Sequence, residues 1–301
     1  MNARHFLTNK VSRGVMTGIA LLALGFLVIE NAPAGRVLND ALVTHPFGHH
    51  IWQEVLMQNV GPDGAVDLAH LRAYPRRLNE YLGQLESASP ENDPKAFPTR
   101  EDQTAYWINA QNAIALRLIL NRYPVSTITD VNELETSKHY KLGGKRYNLP
   151  QIRAKAIASS PGLPILFTLT DYSMSAPPIA ARAYEGKALK GLSLQARKNT
   201  LASPSLIQFQ RLPNGCVVTR ISPFFRSLEA ALFTPSIANE EDQDALSETK
   251  TPREDRPMSW PELLRSWAPP SLYADLGKPC SQTMEPLPAQ PTLRQLQLLR
   301  S

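Results

Sequence analysis

The sequence has few cysteines, few glycines and little net charge. Two cysteines in 301 residues cannot form a disulfide-dense scaffold or supply a cysteine-based zinc module. A formal charge of +5, with no cluster of basic residues, does not indicate a nucleic-acid-binding protein. Proline outnumbers glycine by 26 to 15, which favours fixed turns and linkers over long uninterrupted helices. The 43% apolar and 20% charged composition is that of an ordinary globular chain.

The N-terminus carries a targeting pattern. Three basic residues precede an uncharged apolar run over residues 14–29, and small residues follow at Ala32 and Ala34. This pattern predicts a secretory signal peptide over residues 1–34, cleaved after Ala34. The alternative is an uncleaved membrane anchor with its basic end in the cytoplasm. Both interpretations place the bulk of the chain outside the cytoplasm, in the periplasm or at the cell surface.

That location affects the expectation for the two cysteines. In an oxidising compartment Cys216 and Cys280 can form a disulfide. The alternative is two unpaired cysteines that act as small hydrophobic side chains. The sequence leaves both open.

Changes in composition divide the rest of the chain. Residues 35–46 predict a connecting segment, and residues 47–235 predict a single domain. Residues 236–258 predict an acidic linker, since Glu240 to Arg256 holds seven acidic and three basic residues and few large apolar side chains. Residues 259–301 predict a short helical, Pro-rich tail with a frayed end.

The clearest predicted element is a helix from about Arg100 to Tyr123. Thr99 can cap it with Asp102 in capping-box position, and Pro124 ends it. Its interior is apolar nearly all round, which is typical of a helix buried on several sides.

Asn109 and Asn112 share one face of this buried helix, close to Trp107. A buried amide without a partner costs roughly 1–3 kcal/mol, so both amides must find hydrogen bonds. They either bind neighbouring loop backbone and lock the core, or contact a ligand.

The remaining patterns predict a mixed fold. Residues 163–169 have the length and apolar composition of a buried strand, and the Asn214-Gly215 turn predicts a hairpin. Together these elements predict an α+β fold: a single domain with a central buried helix packed on a small, mostly antiparallel sheet.

Several motifs resemble one family. The helix reads Ala-Tyr-Trp-Ile-Asn-Ala-Gln-Asn-Ala from Ala105 to Ala113, and Asn-Arg-Tyr-Pro follows from Asn121. These motifs, with Leu142 to Leu149, closely resemble the domain-of-unknown-function family 547 (DUF547), which has a Trp-Ile-Asn-x-Tyr-Asn-Ala helix followed by Tyr-Pro. The resemblance extends over roughly Trp52 to Leu232.

The chain departs from that family at its reactive positions. The resemblance implies a histidine where this chain has Leu166, and two cysteines where it has Asp171 and Ala176. It implies a glutamate at the position of Arg153. The chain is therefore interpreted as a divergent member and a pseudoenzyme candidate, leaning against an enzyme, with no catalytic residue assigned.

Other chemistries find little support. The adjacent His49 and His50 point to different sides of any regular element, so they predict a solvated surface pair and not a metal site. Ser173 and Ser175 lack the Gly-x-Ser-x-Gly elbow of serine hydrolases. No metal, no cofactor and no nucleic-acid partner is predicted.

The functional hypothesis is an extracytoplasmic, non-catalytic binding or assembly module of the cell envelope. It has a possible envelope protein partner, and it contacts the membrane through the N-terminal segment if that is uncleaved. The alternative is a hydrolase or transferase with a rearranged polar site around Asn109, Asn112, Asp171 and Ser175. The candidate binding or structural polar site comprises Trp107, Asn109, Asn112, Asp171, Ser173 and Ser175.

Overall fold

A computed structural model describes residues 46–160, 165–214, 217–228, 285–290 and 292–295. All of them belong to one compact unit that begins at Pro46. The predicted leader over residues 1–34, both cysteines and the acidic linker lie outside the described residues.

The described residues form eight α-helices and five short strands. In chain order these are α1 (His50–Asn59), α2 (Leu68–Ala73), α3 (Arg76–Ser87), α4 (Arg100–Arg122), α5 (Asn132–Ser137), β1 (Tyr140–Leu142), β2 (Lys145–Tyr147), α6 (Leu149–Ala158), α7 (Gly186–Leu201), β3 (Ile207–Arg211), β4 (Val217–Ile221), α8 (Pro223–Ser227) and β5 (Glu285–Pro286). The expected fold class, α+β, is confirmed.

Helix α4 is the centre of the core. Thr99 Oγ1 accepts a hydrogen bond from the backbone N–H of Asp102 at 3.1 Å, and the Asp102 carboxylate accepts one from the Thr99 N–H at 3.2 Å. This is the capping box that the sequence predicts. Every residue from Thr104 to Leu116 is buried, as expected for a helix that is apolar on all sides.

The support of α4 differs from the prediction in one respect. The helix was expected to pack on a small sheet, but its main packing partners are α6 and α7. The described sheets have two and three strands of at most five residues, so neither offers a surface long enough to cover a 23-residue helix.

The sheets are small and mostly antiparallel. Strands β1 and β2 form a hairpin through Gly143 and Gly144, both with positive φ. A Cβ on Gly143 would lie 2.1 Å from Ser89 Oγ, so the turn requires glycine there. Strands β3 and β4 pair antiparallel, as the Asn214-Gly215 turn predicts, and β5 joins β4 in parallel.

The strand predicted over residues 163–169 is wrong for its described part. Residues Ile165–Thr168 form a buried 3₁₀ turn, closed by the Thr168 hydroxyl, which donates to the Ile165 carbonyl at 2.6 Å. A short apolar run is compatible with a buried strand or a buried turn, and periodicity cannot separate them. Here the Thr168 carbonyl accepts a hydrogen bond from the Asn112 side chain of α4 instead of from a neighbouring strand.

The described part of the C-terminal tail is extended and docked, where a helical and frayed segment was expected. The Leu287 N–H donates to the Ile221 carbonyl at 2.8 Å, and the Leu293 N–H donates to the Ser126 carbonyl at 2.8 Å. Leu293 is 3% exposed, so this segment is a structural part of the domain.

Candidate functional site

The two asparagines of α4 bind loop backbone. Asn109 Nδ2 donates to the Tyr184 carbonyl at 2.7 Å, and its Oδ1 accepts from the Tyr184 N–H at 3.0 Å. Asn112 Nδ2 donates to the Thr168 carbonyl at 2.9 Å, and its Oδ1 accepts from the Thr170 N–H at 3.2 Å. Both amides are fully buried. Asn109 holds Tyr184 against the helix, and Asn112 holds Thr168 and Thr170 against it.

Trp107 is a packing residue. Its indole meets the rings of Tyr106 and Tyr147 edge to face, with centroids 5.2 and 5.8 Å apart. It is 4% exposed. The core therefore contains Trp107, Asn109 and Asn112. None of these residues lines the cavity that the other three candidate residues share.

The other three candidate residues, Asp171, Ser173 and Ser175, line one cavity of about 300 Å³. They follow closely on the 3₁₀ turn that Asn112 holds, in a segment of bends and turns over residues 172–176. The remaining lining residues are Ile128, Thr129, Asn132, Glu135, Arg153, Pro223, Phe224, Ser227 and Ala289.

Asp171 is an acidic residue of this cavity with a shifted pKa. Its burial raises the pKa of its carboxyl above the usual value. The neighbouring Ser173 hydroxyl and backbone N–H, and the charge of Arg153, oppose that shift without cancelling it. The Ser173 N–H donates to Asp171 Oδ1 at 2.8 Å, whereas the Ser173 hydroxyl lies close by without a well-directed hydrogen bond.

Arg153 is the cation of the cavity. Its residue exposure is 7%, and its Nη2 lies 3.3 Å from Glu135 Oε2. Its Nε–H has no hydrogen-bond partner. This Nε atom has almost no accessible surface, so the unpaired donor lies inside the protein and not on the wall of the cavity.

The backbone at Tyr172 is strained. Its φ is +65°, a region that bulky residues rarely adopt. The Tyr172 hydroxyl donates to the Asn112 backbone carbonyl at 2.9 Å, and the Tyr172 carbonyl accepts from the Arg294 N–H at 2.7 Å. The unusual conformation turns the chain between Asp171 and Ser173, which brings both side chains to the cavity.

The C-terminal segment completes this arrangement. The Met174 N–H donates to the Thr292 carbonyl at 2.8 Å, and the Gln290 N–H donates to Ser175 Oγ at 2.7 Å. Ala289 contributes to the cavity wall. The residues that line the cavity thus come from the 128–135 region, α6, the 171–175 loop, α8 and the tail.

The histidines lie elsewhere. His49 was expected at the surface, but it is 5% exposed, and its Nδ1 lies 2.8 Å from the Tyr81 hydroxyl. Burial lowers the pKa of His49 to about 3, so the ring is neutral. His50 is exposed, as the sequence predicts, and His139 is an exposed residue 3.3 Å from the Ser137 carbonyl. Within the described part of the chain, no histidine lines the Asp171 cavity, and no group of three or more His, Cys, Asp or Glu residues could hold a metal ion.

The sequence did not assign several cavity residues. Arg153 stood out only as a departure from the resembled family, and Glu135 and Ala289 gave no signal. Glu135 of α5 and Arg153 of α6 come together as a pair of opposite charge only in the tertiary structure. Ala289 of the tail, more than 100 positions further along the chain, joins the same cavity only through the fold. The change to Arg at 153 together with the change to Asp at 171 was the one signal that could have suggested a shared site.

Comparison with known proteins supports the resemblance. Residues 95–199 match the family model described as "Protein of unknown function, DUF547". The resemblance to DUF547 is confirmed. The matched segment begins before α4 and ends within α7, so it includes Arg153, Asp171, Ser173 and Ser175. No curated protein and no solved structure matches the chain.

One further observation concerns the membrane. Among the residues that the structure describes, none of the helices combines the length and the apolar character needed to cross a bilayer.

Proposed function

We propose that this chain is an extracytoplasmic, non-catalytic binding module of the cell envelope, whose cavity at Asp171 receives a small polar ligand. The observation that carries the binding proposal is the cavity itself. Its lining combines the guanidinium group of Arg153, the carboxyl groups of Glu135 and Asp171, and the serines Ser173 and Ser175. A concave site with a few convergent polar groups is the usual form of a small-molecule site.

The location in the proposal rests on the N-terminal sequence pattern. Fusing alkaline phosphatase to the C-terminus of the full chain tests it, because that enzyme is active only outside the cytoplasm. We expect an active fusion, and an inactive one when residues 1–34 are deleted. Full-chain fusions without activity would contradict the location. The N-terminal residue of the recovered protein distinguishes cleavage after Ala34 from an intact anchor.

The binding proposal is tested by native mass spectrometry of the full chain purified from cells. We expect an additional small-molecule mass on the wild-type chain and its loss in Arg153→Ala. Arg146→Ala is the matched control, because Arg146 is an exposed arginine on β2. Equal spectra for all three proteins would contradict a cavity ligand. Pull-down from solubilised membranes with the same tagged chain tests the assembly role, which predicts stoichiometric recovery of an envelope protein.

A hydrolase or transferase is the second candidate. The observation in its favour is that Asp171, a carboxyl group with a raised pKa, shares the cavity with the Ser173 and Ser175 hydroxyls. The two asparagines cannot serve it directly, since their amides already hold loop backbone. Turnover of an activated ester that is abolished in both Asp171→Asn and Ser175→Ala would favour this candidate. Turnover absent from the wild-type chain, or unchanged in both variants, would count against it.

A further inference from the structure

A second cavity, of about 240 Å³, lies between α3, α4 and β1. It shares no lining residue with the Asp171 cavity. Three elements supply the residues that matter for its chemistry: Asn79, Gly83 and Glu86 of α3, Arg117 of α4, and Tyr140 and Lys141 of β1. The other lining residues of the described chain are apolar.

Arg117 brings a positive charge to this cavity. It is the one charged residue of the α4 sequence between Asp102 and Arg122. Its side chain is half-buried, and among the residues that the structure describes it has no hydrogen-bond or ion-pair partner. Unlike the Arg153 Nε, the guanidinium nitrogens of Arg117 are not enclosed by the protein. They are therefore accessible to a molecule in the cavity.

Two other arginines that are at least partly buried show what Arg117 lacks. Arg77 Nη1 lies 2.7 Å from Glu80 Oε2, and Arg153 Nη2 lies 3.3 Å from Glu135 Oε2. In both cases a carboxylate of the protein compensates the charge. Arg117 has no such carboxylate in the described part of the chain, so an anion from solution can take that place.

The charges of the lining leave a net +1. Arg117 and Lys141 contribute +1 each, and Glu86 contributes −1. Lys141 Nζ lies 3.2 Å from Glu86 Oε1, so these two compensate each other and the charge of Arg117 remains. A charge in a cleft with low-dielectric walls concentrates its field there and attracts counter-ions.

Two neutral groups add hydrogen-bond donors. The Tyr140 hydroxyl accepts a bond from Asn121 Nδ2 at 3.3 Å, so its own hydrogen remains to donate. Burial raises the pKa of Tyr140, although the Asn121 bond and the charge of Arg117 oppose the shift, so the hydroxyl is protonated at neutral pH. The amide of Asn79 lines the same cavity and can also donate. All these donors suit a ligand with several acceptor oxygens.

Gly83 leaves one side of the cavity open. It is an interior residue of α3, where glycine is less favourable than any residue except proline. A Cβ at this position would meet no atom within 4 Å, so packing does not require glycine. A side chain here would extend into open space beside the cavity, and its absence keeps the cavity accessible.

We infer that this cavity binds a small oxyanion, a carboxylate or a phosphate, through the guanidinium group of Arg117 and the hydroxyl of Tyr140. The planar guanidinium fork can donate two parallel hydrogen bonds to such a group, which gives the contact both charge and direction. Because this site is separate from the Asp171 cavity, the inference does not depend on the function proposed above, and either can fail alone.

The test is a calorimetric titration of the full chain with anions and their neutral isosteres. The anions are acetate, lactate, succinate and inorganic phosphate, and the isosteres are acetamide, lactamide and succinamide. The buffer is Tris chloride with a non-ionic detergent, so that no other oxyanion competes. We expect at least one anion to bind with a Kd of about 1 mM or tighter, and the amides to bind about tenfold more weakly or not at all.

Matched variants assign the binding to this cavity. Arg117→Gln removes the charge and keeps a helix-forming side chain, so the affinity should fall at least about tenfold. Arg122→Gln is its control, because Arg122 is an exposed arginine at the end of the same helix. Tyr140→Phe removes the hydroxyl donor and should weaken binding about threefold to tenfold.

A second pair of variants changes the shape of the cavity and not its charge. Gly83→Leu should fold, since a Cβ meets no atom there, and its side chain should block anion binding. Gly191→Leu is the control, because Gly191 is an interior glycine of α7 with the same free space and does not line this cavity. Thermal unfolding of all five variants checks that each is folded.

The outcomes separate the possibilities. Tighter binding of phosphate than of the carboxylates, or the reverse, identifies the oxyanion, and both results support the inference if Arg117→Gln and Gly83→Leu lose the binding. Amides that bind as tightly as the anions would overturn it, because charge would then play no part. Anion binding that is unchanged in Arg117→Gln and Gly83→Leu would place the anion elsewhere and overturn it too. So would the absence of binding of every anion to the wild-type chain.

Discussion

The double hydrogen bond of Asn112 should be one of the strongest single contributions to the stability of this domain. The side chain is fully buried, and it satisfies both the Thr168 carbonyl and the Thr170 N–H. Asn112→Ala leaves both backbone groups buried without a partner. Each unsatisfied group costs roughly 1–3 kcal/mol, so we expect the free energy of unfolding to fall by about 3 kcal/mol or more.

The measurement is urea unfolding of the full chain, supported by thermal unfolding. A loss of about 3 kcal/mol corresponds to a decrease in Tm of roughly 6–12 °C for a domain of this size. Asn199→Ala is the control, because Asn199 is an exposed residue of α7. A loss below about 1 kcal/mol for Asn112→Ala, or one equal to that of Asn199→Ala, would refute the reasoning.

A second comparison separates stability from the cavity. Asn109 makes the same pair of bonds to Tyr184, which does not line the cavity. Asn109→Ala should therefore cost a similar free energy of unfolding but leave ligand binding less affected than Asn112→Ala does, since Asn112 holds the residues that lead into Asp171. Equal effects of the two substitutions on binding would show that the amide of Asn112 does not position the cavity loop.

Three further perturbations follow from buried or paired groups. Because the pKa of His49 is lowered to about 3, its unfolded state takes up a proton below pH 6.5 that the folded state excludes. The free energy of unfolding should fall by about 2 kcal/mol between pH 6.5 and 5, a slope lost in His49→Phe and kept in His50→Gln. Burial alone would raise the pKa of Glu91, but hydrogen bonds from Lys155, Tyr147 and Lys145 hold it at about 2. Glu91→Gln should therefore be less stable than the wild type at pH 7, and the difference should disappear as the pH falls from 4.5 toward 2; a difference that persists at pH 2 would contradict this assignment. Leu293→Asp places a charge in a buried site and should release the tail, which hydrogen exchange at the Met174 amide would detect as lost protection. Unchanged protection in that variant would show that the tail does not hold the loop.

The sequence predicts the elements whose signals are local. Helix α4 begins and ends close to its predicted limits, because Thr99, Asp102 and Pro124 lie within a few residues of its ends. The Asn214-Gly215 hairpin follows for the same reason. The 165–168 turn does not, because the group that takes its Thr168 carbonyl is 56 positions away on α4.

The candidate site was predicted only in part, again for a physical reason. Asp171, Ser173 and Ser175 were identified as one polar group because they lie together on the short stretch where the resembled family has its two cysteines. Their grouping with Asn109 and Asn112 does not hold as a single site, since the two amides bind backbone inside the core. Sequence spacing does not show whether a buried amide binds loop backbone or faces a cavity.

The cavity loop is held from two sides, and this bears on how a binding site tolerates strain. A left-handed conformation at Tyr172 costs roughly 1–3 kcal/mol. The hydrogen bond from its hydroxyl to the Asn112 carbonyl and the bond from the Arg294 N–H to its own carbonyl oppose that cost from α4 and from the tail. Both of these supports lie outside the loop, and within the loop the Asp171 side chain adds a third, since its Oδ1 accepts from the Ser173 N–H at 2.8 Å. The loop is therefore ordered before a ligand arrives, which reduces the entropic cost of binding.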